Sequence, residues 1–220
     1  MFKHLAILLA AAFAATSAFA AEPAAAPAWE AGKHYFPIEP ALATASGDKV
    51  EVLEVFSYAC SHCANFQPYA ERLKQSLPDH ASFDYMPAIF NAQWEPYARA
   101  FYTAQSLGVL DATHQALFDA LHRDHAPIRS LDDLAAFYSK HGVERAKFLA
   151  ASGSFEVESK LSRSMQVVRD AGVDGTPTLI VNGKYRTSGA SAGGYAQMVE
   201  LVGWLVEKEH AAAAKAPKAK

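Results

Sequence analysis

Residues 50–63 are Val-Glu-Val-Leu-Glu-Val-Phe-Ser-Tyr-Ala-Cys-Ser-His-Cys, an apolar and β-branched run that leads directly into two cysteines. The run predicts a buried strand, and the residues after it have helical periodicity. Cys60 therefore lies where a strand ends and a helix begins. Free backbone N–H groups and the helix dipole stabilise a thiolate at that point, and the thiolate is the reactive form of cysteine. The sequence thus predicts a reactive thiol at this turn.

Cys60 and Cys63 are the only two cysteines of the chain, and their spacing is Cys-x-x-Cys. A structural disulfide would close a very small ring, which yields roughly 2 kcal/mol against about 3 for a 15-residue loop. A structural zinc site would need two further ligands, and neither a second Cys pair nor a paired-histidine motif is present. A protease nucleophile would not need the second cysteine. The pattern favours a redox pair over these three alternatives.

Length and composition limit the class of protein. The chain has 220 residues, of which 51% are hydrophobic, enough for one large domain or for a domain with an insertion. Its formal charge of −3, from 20 basic and 23 acidic residues, predicts no nucleic-acid partner. It contains no glycine-rich phosphate loop, and we expect neither a metal nor a cofactor.

The N-terminus has the pattern of a secretory signal peptide. Lys3 supplies a positive start, Leu5–Ala15 is uncharged and apolar, and Ala18-Phe19-Ala20 has small residues at the cleavage positions. We expect residues 1–20 to be removed before Ala21. A membrane anchor is the alternative, but the run is Ala-rich and shorter than the roughly 20 strongly apolar residues of a span. Export would place the cysteines in an oxidising compartment.

The rest of the chain alternates between two kinds of pattern. Strands are predicted at 34–39, 50–58, 82–86, 178–181 and 184–187, with Asn182-Gly183 as a type I′ hairpin turn. Helices are predicted at 60–77, 95–107, 111–122, 130–142, 143–151, 154–171 and 192–208. Asp111 is a candidate cap, and Ser130 with Asp133 forms a capping-box variant. The Ala/Lys/Pro-rich residues 211–220 are predicted to be a disordered tail.

This order, together with three local motifs, resembles the DsbA family of periplasmic thiol:disulfide oxidoreductases within the thioredoxin superfamily. The motifs are Cys60-Ser61-His62-Cys63 at a strand–helix junction, Pro68 inside that helix, and Gly175-Thr176-Pro177-Thr178 before a strand. The resemblance covers about Trp29–His210. Ser61 stands where the best-known members carry proline.

The resemblance implies an α/β thioredoxin fold with an all-helical domain inserted between the second core strand and the cis-proline strand. The thioredoxin-like domain would comprise residues 21–93 and 172–210. The inserted helical domain would comprise residues 94–171, where the sequence has no strand signal.

The resemblance also implies roles for the redox motif. A substrate thiolate would attack an exposed Cys60 to form a mixed disulfide, and Cys63 would act as the resolving thiol. Ser61 and His62 would tune the redox potential. The alternative for His62 is an ordinary surface position on a helix.

Three further residues are assigned by the resemblance. Thr176 and Pro177 would form a cis-proline loop opposite the disulfide, where the Thr176 backbone can pair with an extended substrate; a trans turn is the alternative. Glu54 would be a buried proton relay beneath the site, with a pKa raised by burial. Its alternative is an edge-strand charge that faces water.

The implied function is a dithiol oxidase that donates the Cys60–Cys63 disulfide to unfolded or folding exported proteins with free thiols. A membrane reoxidase of the DsbB kind would recharge it, and we expect a monomer in the periplasm. The alternatives are a reductase or isomerase on the same fold, and a non-catalytic binding or chaperone domain. Isomerases usually carry an N-terminal dimerisation domain, for which residues 21–50 leave no room.

Overall fold

The structure, a computed structural model, describes residues 29–215. The predicted signal peptide at residues 1–20 lies outside the described residues. Within 29–215, none of the helices has both the length and the apolar character needed to cross a bilayer.

A five-stranded sheet forms the centre of the molecule. Its strands are β1 (Phe36–Pro37), β2 (Val50–Phe56), β3 (Ala81–Pro87), β4 (Thr178–Val181) and β5 (Tyr185–Ser188), in the order β1-β5-β4-β2-β3. β2 pairs with β3 in parallel, and the other neighbours are antiparallel. Every residue of β2 is buried, because helices cover both faces of the strand and β3 and β4 flank it.

Two apolar layers enclose this sheet. On one face, α1 (Ser61–Ser76) and α8 (Tyr195–Lys215) pack against Val52 of β2 and Leu179 of β4. On the other face, Leu53 and Val55 pack against the C-terminal end of α6 (Phe155–Asp170). The alternation of β2 side chains therefore directs Glu54, between Val52 and Phe56, toward the α1 side.

All the helices between β3 and β4 form one block, as the fold prediction requires. They are α2 (Glu95–Ser106), α3 (Leu110–Phe118) with a π-helical continuation (Asp119–Arg123), α4 (Leu131–Ser139), α5 (Arg145–Ser152) and α6. Their shared apolar cluster also contains Phe56, Tyr58, Cys60 and Cys63. The helical block therefore packs directly against the end of β2 that leads into the cysteines. The predicted α/β thioredoxin fold with a helical insertion is confirmed.

Several local predictions are confirmed. Ser130 and Asp133 form a reciprocal capping box at the start of α4. Asn182 and Gly183 both have positive φ, as a type I′ turn requires, and Lys184 N donates to Val181 O at 3.0 Å. The peptide bond between Thr176 and Pro177 is cis.

Three local predictions are wrong. Asp111 lies in the first turn of α3, whose cap is Val109. The predicted helix at 192–208 is instead α7 (Gly189–Ala192) followed by α8, because Gly193 and Gly194 adopt positive φ and interrupt it. The predicted disordered tail at 211–220 is helical as far as Lys215, since residues 211–214 are alanines, the strongest helix formers. Residues 216–220 lie outside the described part.

Candidate active site

Cys60 is the N-cap residue of α1, at the turn that follows β2. Its backbone is extended, with φ −93° and ψ 114°, and no side chain caps the helix. The turn is held by Cys60 N, which donates to Ser57 O, and by Ala59 N, which donates to Ser57 Oγ. Cys63 N and Ala64 N donate to the Cys60 carbonyl oxygen, both at 3.1 Å, and the amide groups before them in α1 are available to the Cys60 sulfur.

The two thiols differ in exposure. Both cysteines are free thiols, so the structure shows the reduced form. Cys60 retains 9% of its surface and Cys63 retains none. The structure shows Cys60 less exposed than expected, because the loop at Thr176 lies over it, with Cys60 Sγ 3.5 Å from Thr176 O. Cys60 is still the only one of the two sulfurs with a path to solvent.

The environment separates the acidities of the two thiols. A hydrogen bond from the Cys63 thiol lowers the pKa of Cys60 to about 5, against the opposing effect of burial. Thr176 and the backbone N–H groups of Cys63 and His62 contribute further to that lowering. Burial, followed by the bond to Cys60, raises the pKa of Cys63 far above its ordinary value. At neutral pH the pair thus holds one thiolate, on Cys60, and one proton, on Cys63.

The loop at Thr176 and Pro177 faces the redox pair. The Thr176 hydroxyl is buried and has no hydrogen-bond partner within residues 29–215, so it is free to donate to the thiolate. A cavity of about 440 Å³ adjoins this loop. Its lining includes Pro177, His62, Gly189 and Tyr195, and it offers space for a group bound between the cis-proline loop and the first turn of α1.

Ser61 and His62 are both exposed on the first turn of α1. Neither side chain makes a hydrogen bond to another of the described residues. The backbone of His62 takes part in the site at both ends: its N–H helps to stabilise the thiolate, and its carbonyl oxygen accepts from Tyr195 at 3.2 Å. The structure therefore supports a contribution of the His62 backbone more directly than one of its imidazole.

Glu54 is fully buried, which excludes the alternative of a charge that faces water. Neither carboxyl oxygen has a hydrogen-bond partner in the part of the chain that the structure describes. Burial, and next the negative charge of Cys60, raises the pKa of Glu54 well above its usual value. Glu54 also contributes to the raised pKa of Cys63. A buried carboxyl of this kind keeps its proton to a higher pH than an exposed glutamate does.

Two contacts near the site were not identified from the sequence. Tyr58 donates or accepts a hydrogen bond with His114 of α3 at 2.8 Å, and Tyr195 of α8 reaches the His62 carbonyl. Because Tyr58 lies only two residues before Cys60, the sequence could have indicated that its hydroxyl has a partner near the site. Nothing near Tyr195 in the sequence distinguishes it from an ordinary helix residue.

The arrangement fits thiol–disulfide exchange. Among residues 29–215, no three histidine, cysteine, aspartate or glutamate side chains are grouped to hold a metal ion. A stabilised thiolate and a buried second thiol in contact with it are the groups that reversible disulfide formation needs.

Comparison with known proteins agrees with this chemistry. A model of the DSBA-like thioredoxin domain matches residues 86–194. The thiol:disulfide interchange protein DsbA of Pseudomonas aeruginosa is 35% identical over 187 residues, which cover 85% of this chain and 89% of the relative. DsbA of Azotobacter vinelandii is 33% identical, with 94% and 98% covered.

Solved structures lead to the same family. The crystal structure of P. aeruginosa DsbA superimposes with a TM-score of 0.80 at 35% identity, and covers 85% of this chain and 97% of that one. The oxidoreductase DsbA of Xylella fastidiosa gives a TM-score of 0.77 at 32% identity, with 82% and 97% covered. The chain belongs to the DsbA family of thiol:disulfide interchange proteins, and it is a disulfide oxidoreductase.

Proposed function

We propose that the protein is a dithiol oxidase, which donates the Cys60–Cys63 disulfide to newly translocated proteins with free thiols. The observation that carries the proposal is the lowered pKa of Cys60, to about 5, beside a fully buried Cys63. A stabilised thiolate exists only in the reduced form, so it favours reduction of the pair. About 1.4 kcal/mol of such preference raises the potential of a two-electron couple by about 30 mV.

The exchange proceeds in two displacements. A substrate thiolate attacks Cys60 Sγ, the Cys60–Cys63 bond breaks, and a bond between substrate and Cys60 forms. Cys63 leaves as a thiolate and takes a proton. A second substrate thiolate then attacks the first substrate sulfur and releases Cys60 as a thiolate. The substrate gains a disulfide, and the two electrons remain on the dithiol of the protein.

The other predicted residues serve this reaction. Glu54 supplies the proton that Cys63 takes up, which its burial and raised pKa support. Thr176 and Pro177 hold the extended substrate opposite Cys60, supported by the contact between Cys60 Sγ and Thr176 O. Ser61 and His62, exposed between the cysteines, set how strongly the disulfide oxidises.

The proposal also covers the export, the domain organisation and the reoxidation of the protein. The chain is exported by the signal peptide at residues 1–20 and works as a monomer in the periplasm. Residues 94–171 form the inserted helical domain, and residues 21–93 with 172–210 form the thioredoxin-like one. A membrane reoxidase of the DsbB type restores the disulfide. Mass spectrometry of the exported protein tests the removal of the signal peptide, since cleavage before Ala21 predicts the mass of residues 21–220.

The equilibrium between the Cys60–Cys63 pair and glutathione, followed by trapping of free thiols, tests the oxidase proposal. The benchmarks are the known potentials of thioredoxin, about −270 mV, and of DsbA itself, about −120 mV. We expect a value well above the first and toward the second. A value near thioredoxin's would instead indicate a reductase, and a pair that never equilibrates would indicate a non-catalytic scaffold.

The matched control is the Cys60→Ser/Cys63→Ser variant in an assay of substrate-protein oxidation. An oxidase loses all activity with both cysteines replaced. A binding or chaperone domain would keep its effect on the substrate protein, which would overturn the proposal.

A further inference from the structure

Tyr195, the first residue of α8, reaches across to the first turn of α1. Its hydroxyl donates to the carbonyl oxygen of His62 at 3.2 Å, a contact between residues 133 positions apart. Its ring packs edge-on against Phe66, with 5.2 Å between centroids, and against Tyr69, with 5.5 Å. The ring is therefore held by α1 while the hydroxyl touches the redox motif.

Gly189 of α7 lies against the same ring. A Cβ atom at Gly189 would lie 2.7 Å from Cε1 of Tyr195 and 2.8 Å from Cδ1. Only glycine lets the backbone of α7 approach the ring this closely. The ring of Tyr195 thus packs against both α1 and α7.

The peptide unit that receives this hydrogen bond also serves the thiolate. The carbonyl of His62 and the N–H of Cys63 belong to the same planar peptide group, so a bond that holds one end orients the other. The Cys63 N–H donates to the Cys60 carbonyl oxygen at 3.1 Å, and it is also among the groups that lower the pKa of Cys60. A donor on the carbonyl oxygen also polarises the peptide and strengthens its N–H as a donor.

We propose that Tyr195 is a positioning residue for the redox pair: its hydroxyl orients and polarises the His62–Cys63 peptide, and thereby stabilises the Cys60 thiolate and strengthens the disulfide as an oxidant. The proposal rests on the redox role of Cys60 and adds a residue from the far end of the chain. Tyr195 acts through the peptide and needs no contact with the sulfur.

Tyr195→Phe tests the proposal, because it removes the hydroxyl and keeps the ring. Thiolate absorbance against pH gives the pKa of Cys60, which we expect to rise by about half a unit from loss of one polarising bond. The equilibrium constant with glutathione should change about threefold toward the disulfide form of the protein, a fall of about 14 mV in potential. Identical values for variant and wild type would overturn the proposal.

Tyr69→Phe is the matched control. Tyr69 belongs to the same ring cluster, and its hydroxyl makes no hydrogen bond to any of residues 29–215. We expect the pKa of Cys60 and the redox potential of the Tyr69→Phe variant to equal those of the wild type. An equal shift in both variants would show a general packing effect and would overturn the positioning role.

Unfolding in urea separates positioning from simple stabilisation. If Tyr195 acts on the thiolate, Tyr195→Phe raises the unfolding equilibrium constant of the reduced protein by about threefold more than that of the oxidised protein. Equal losses in both forms would contradict the proposal. All these readouts compare a variant with the wild type, so they hold whether the wild-type pair proves oxidising or reducing.

Discussion

The hydroxyl of Tyr58 lies 2.8 Å from Nδ1 of His114, and this hydrogen bond joins the active-site turn to helix α3. A second histidine of the helical block, His122, contacts the Tyr58 carbonyl oxygen with its Nε2 at 2.7 Å. Both groups of Tyr58 are therefore held by the helices two residues before Cys60. The position of the redox thiol depends on the packing of the helical block as well as on the sheet.

His114 predicts a loss of stability in mild acid. Burial, with a smaller effect of Lys74, lowers the pKa of His114 to about 3 from an ordinary value of 6.5. The unfolded chain therefore binds a proton between these values that the folded chain does not, and stability falls as pH falls through this window.

His114→Gln keeps a polar partner for Tyr58 and removes the titration. At about 1.4 kcal/mol per pH unit, the difference in unfolding free energy between pH 6.5 and pH 4 should shrink by about 3 kcal/mol. Urea unfolding followed by circular dichroism measures it. An unchanged pH dependence would show that His114 takes up its proton without unfolding.

Replacement of the buried cysteine should trap a substrate. Cys63→Ser leaves Cys60 reactive but without a resolving thiol. Its Cys60 thiolate attacks a disulfide of an oxidised substrate protein and displaces one substrate thiolate, and the mixed disulfide that forms accumulates and runs as a higher-mass band on a non-reducing gel. Cys60→Ser should trap nothing, because Cys63 has no exposed surface. Equal trapping by both variants would contradict the assignment of Cys60 as the attacked sulfur.

Glu54 predicts a pH dependence opposite to that of His114. Its raised pKa means that the folded protein keeps a proton that the unfolded chain releases, so stability falls as pH rises from about 4.5 through the folded pKa. Glu54→Gln should remove this fall, which amounts to at most about 1.4 kcal/mol per pH unit. Urea unfolding of the oxidised protein from pH 5 to pH 8 makes the comparison. If the variant shows the wild-type slope, Glu54 is not the group that titrates.

Glu209 of α8 is a buried carboxylate with two partners. Asn182 Nδ2 donates to it at 2.8 Å and Lys184 Nζ at 2.6 Å. Burial raises the pKa of Glu209, but these two groups outweigh it and the net pKa lies below the usual range. The stability that Glu209 contributes is therefore complete above the unfolded pKa and is lost as pH falls through the folded pKa.

Glu209→Ala should lower the unfolding free energy by about 2 kcal/mol at neutral pH. Glu207→Ala is the matched control on the same helix, because the Glu207 side chain is 62% exposed in its pair with His80. Pairs of this kind contribute little, so we expect a loss below about 0.5 kcal/mol. Equal losses in the two variants would show that the alanine substitutions change the stability of α8 itself, and that the contact of Glu209 with the hairpin residues contributes nothing measurable.

Two glycines with positive φ provide a test of the hairpin packing. Gly183 has φ +64°, and a Cβ atom there would lie 2.3 Å from the carbonyl oxygen of Leu42. Gly193 has φ +92°, with nothing within 4 Å of its Cβ position. Both alanine variants lose about 1–2 kcal/mol through backbone strain. Gly183→Ala should lose about 2 kcal/mol more through the clash, as measured by urea unfolding.

Local sequence signals were sufficient for most of the fold. A continuous apolar run predicts β2, the Cys-x-x-Cys motif at its end predicts the start of α1, and Asn182-Gly183 predicts the hairpin turn. Each of these patterns spans only a few consecutive residues, so it can be recognised in one sequence without an alignment. The boundaries near α7 were missed because Gly193 and Gly194 interrupt a pattern that is otherwise helical.

The fine structure of the site depends on residues far apart in the chain. Cys60 contacts Thr176 across 116 positions, and this contact accounts for the low exposure of a thiol that was expected to be open. Tyr195 and His114 likewise reach the site only after the helices have packed. No local pattern contains these contacts, because they arise from the tertiary arrangement of elements that are separately unremarkable.

The apolar cluster shared by the cysteines and the helical block has a consequence for attempts to simplify the protein. Phe56 and Tyr58 lie in van der Waals contact with rings of the block, notably Phe101 and Phe118. A shortened chain without residues 94–171 would expose the rings of Phe56 and Tyr58 to water beside the cysteines. We expect such a chain to aggregate before it could exchange a disulfide. The helical block is inserted in the sequence of the thioredoxin-like domain, but in the folded protein it packs directly against the residues that carry the two cysteines.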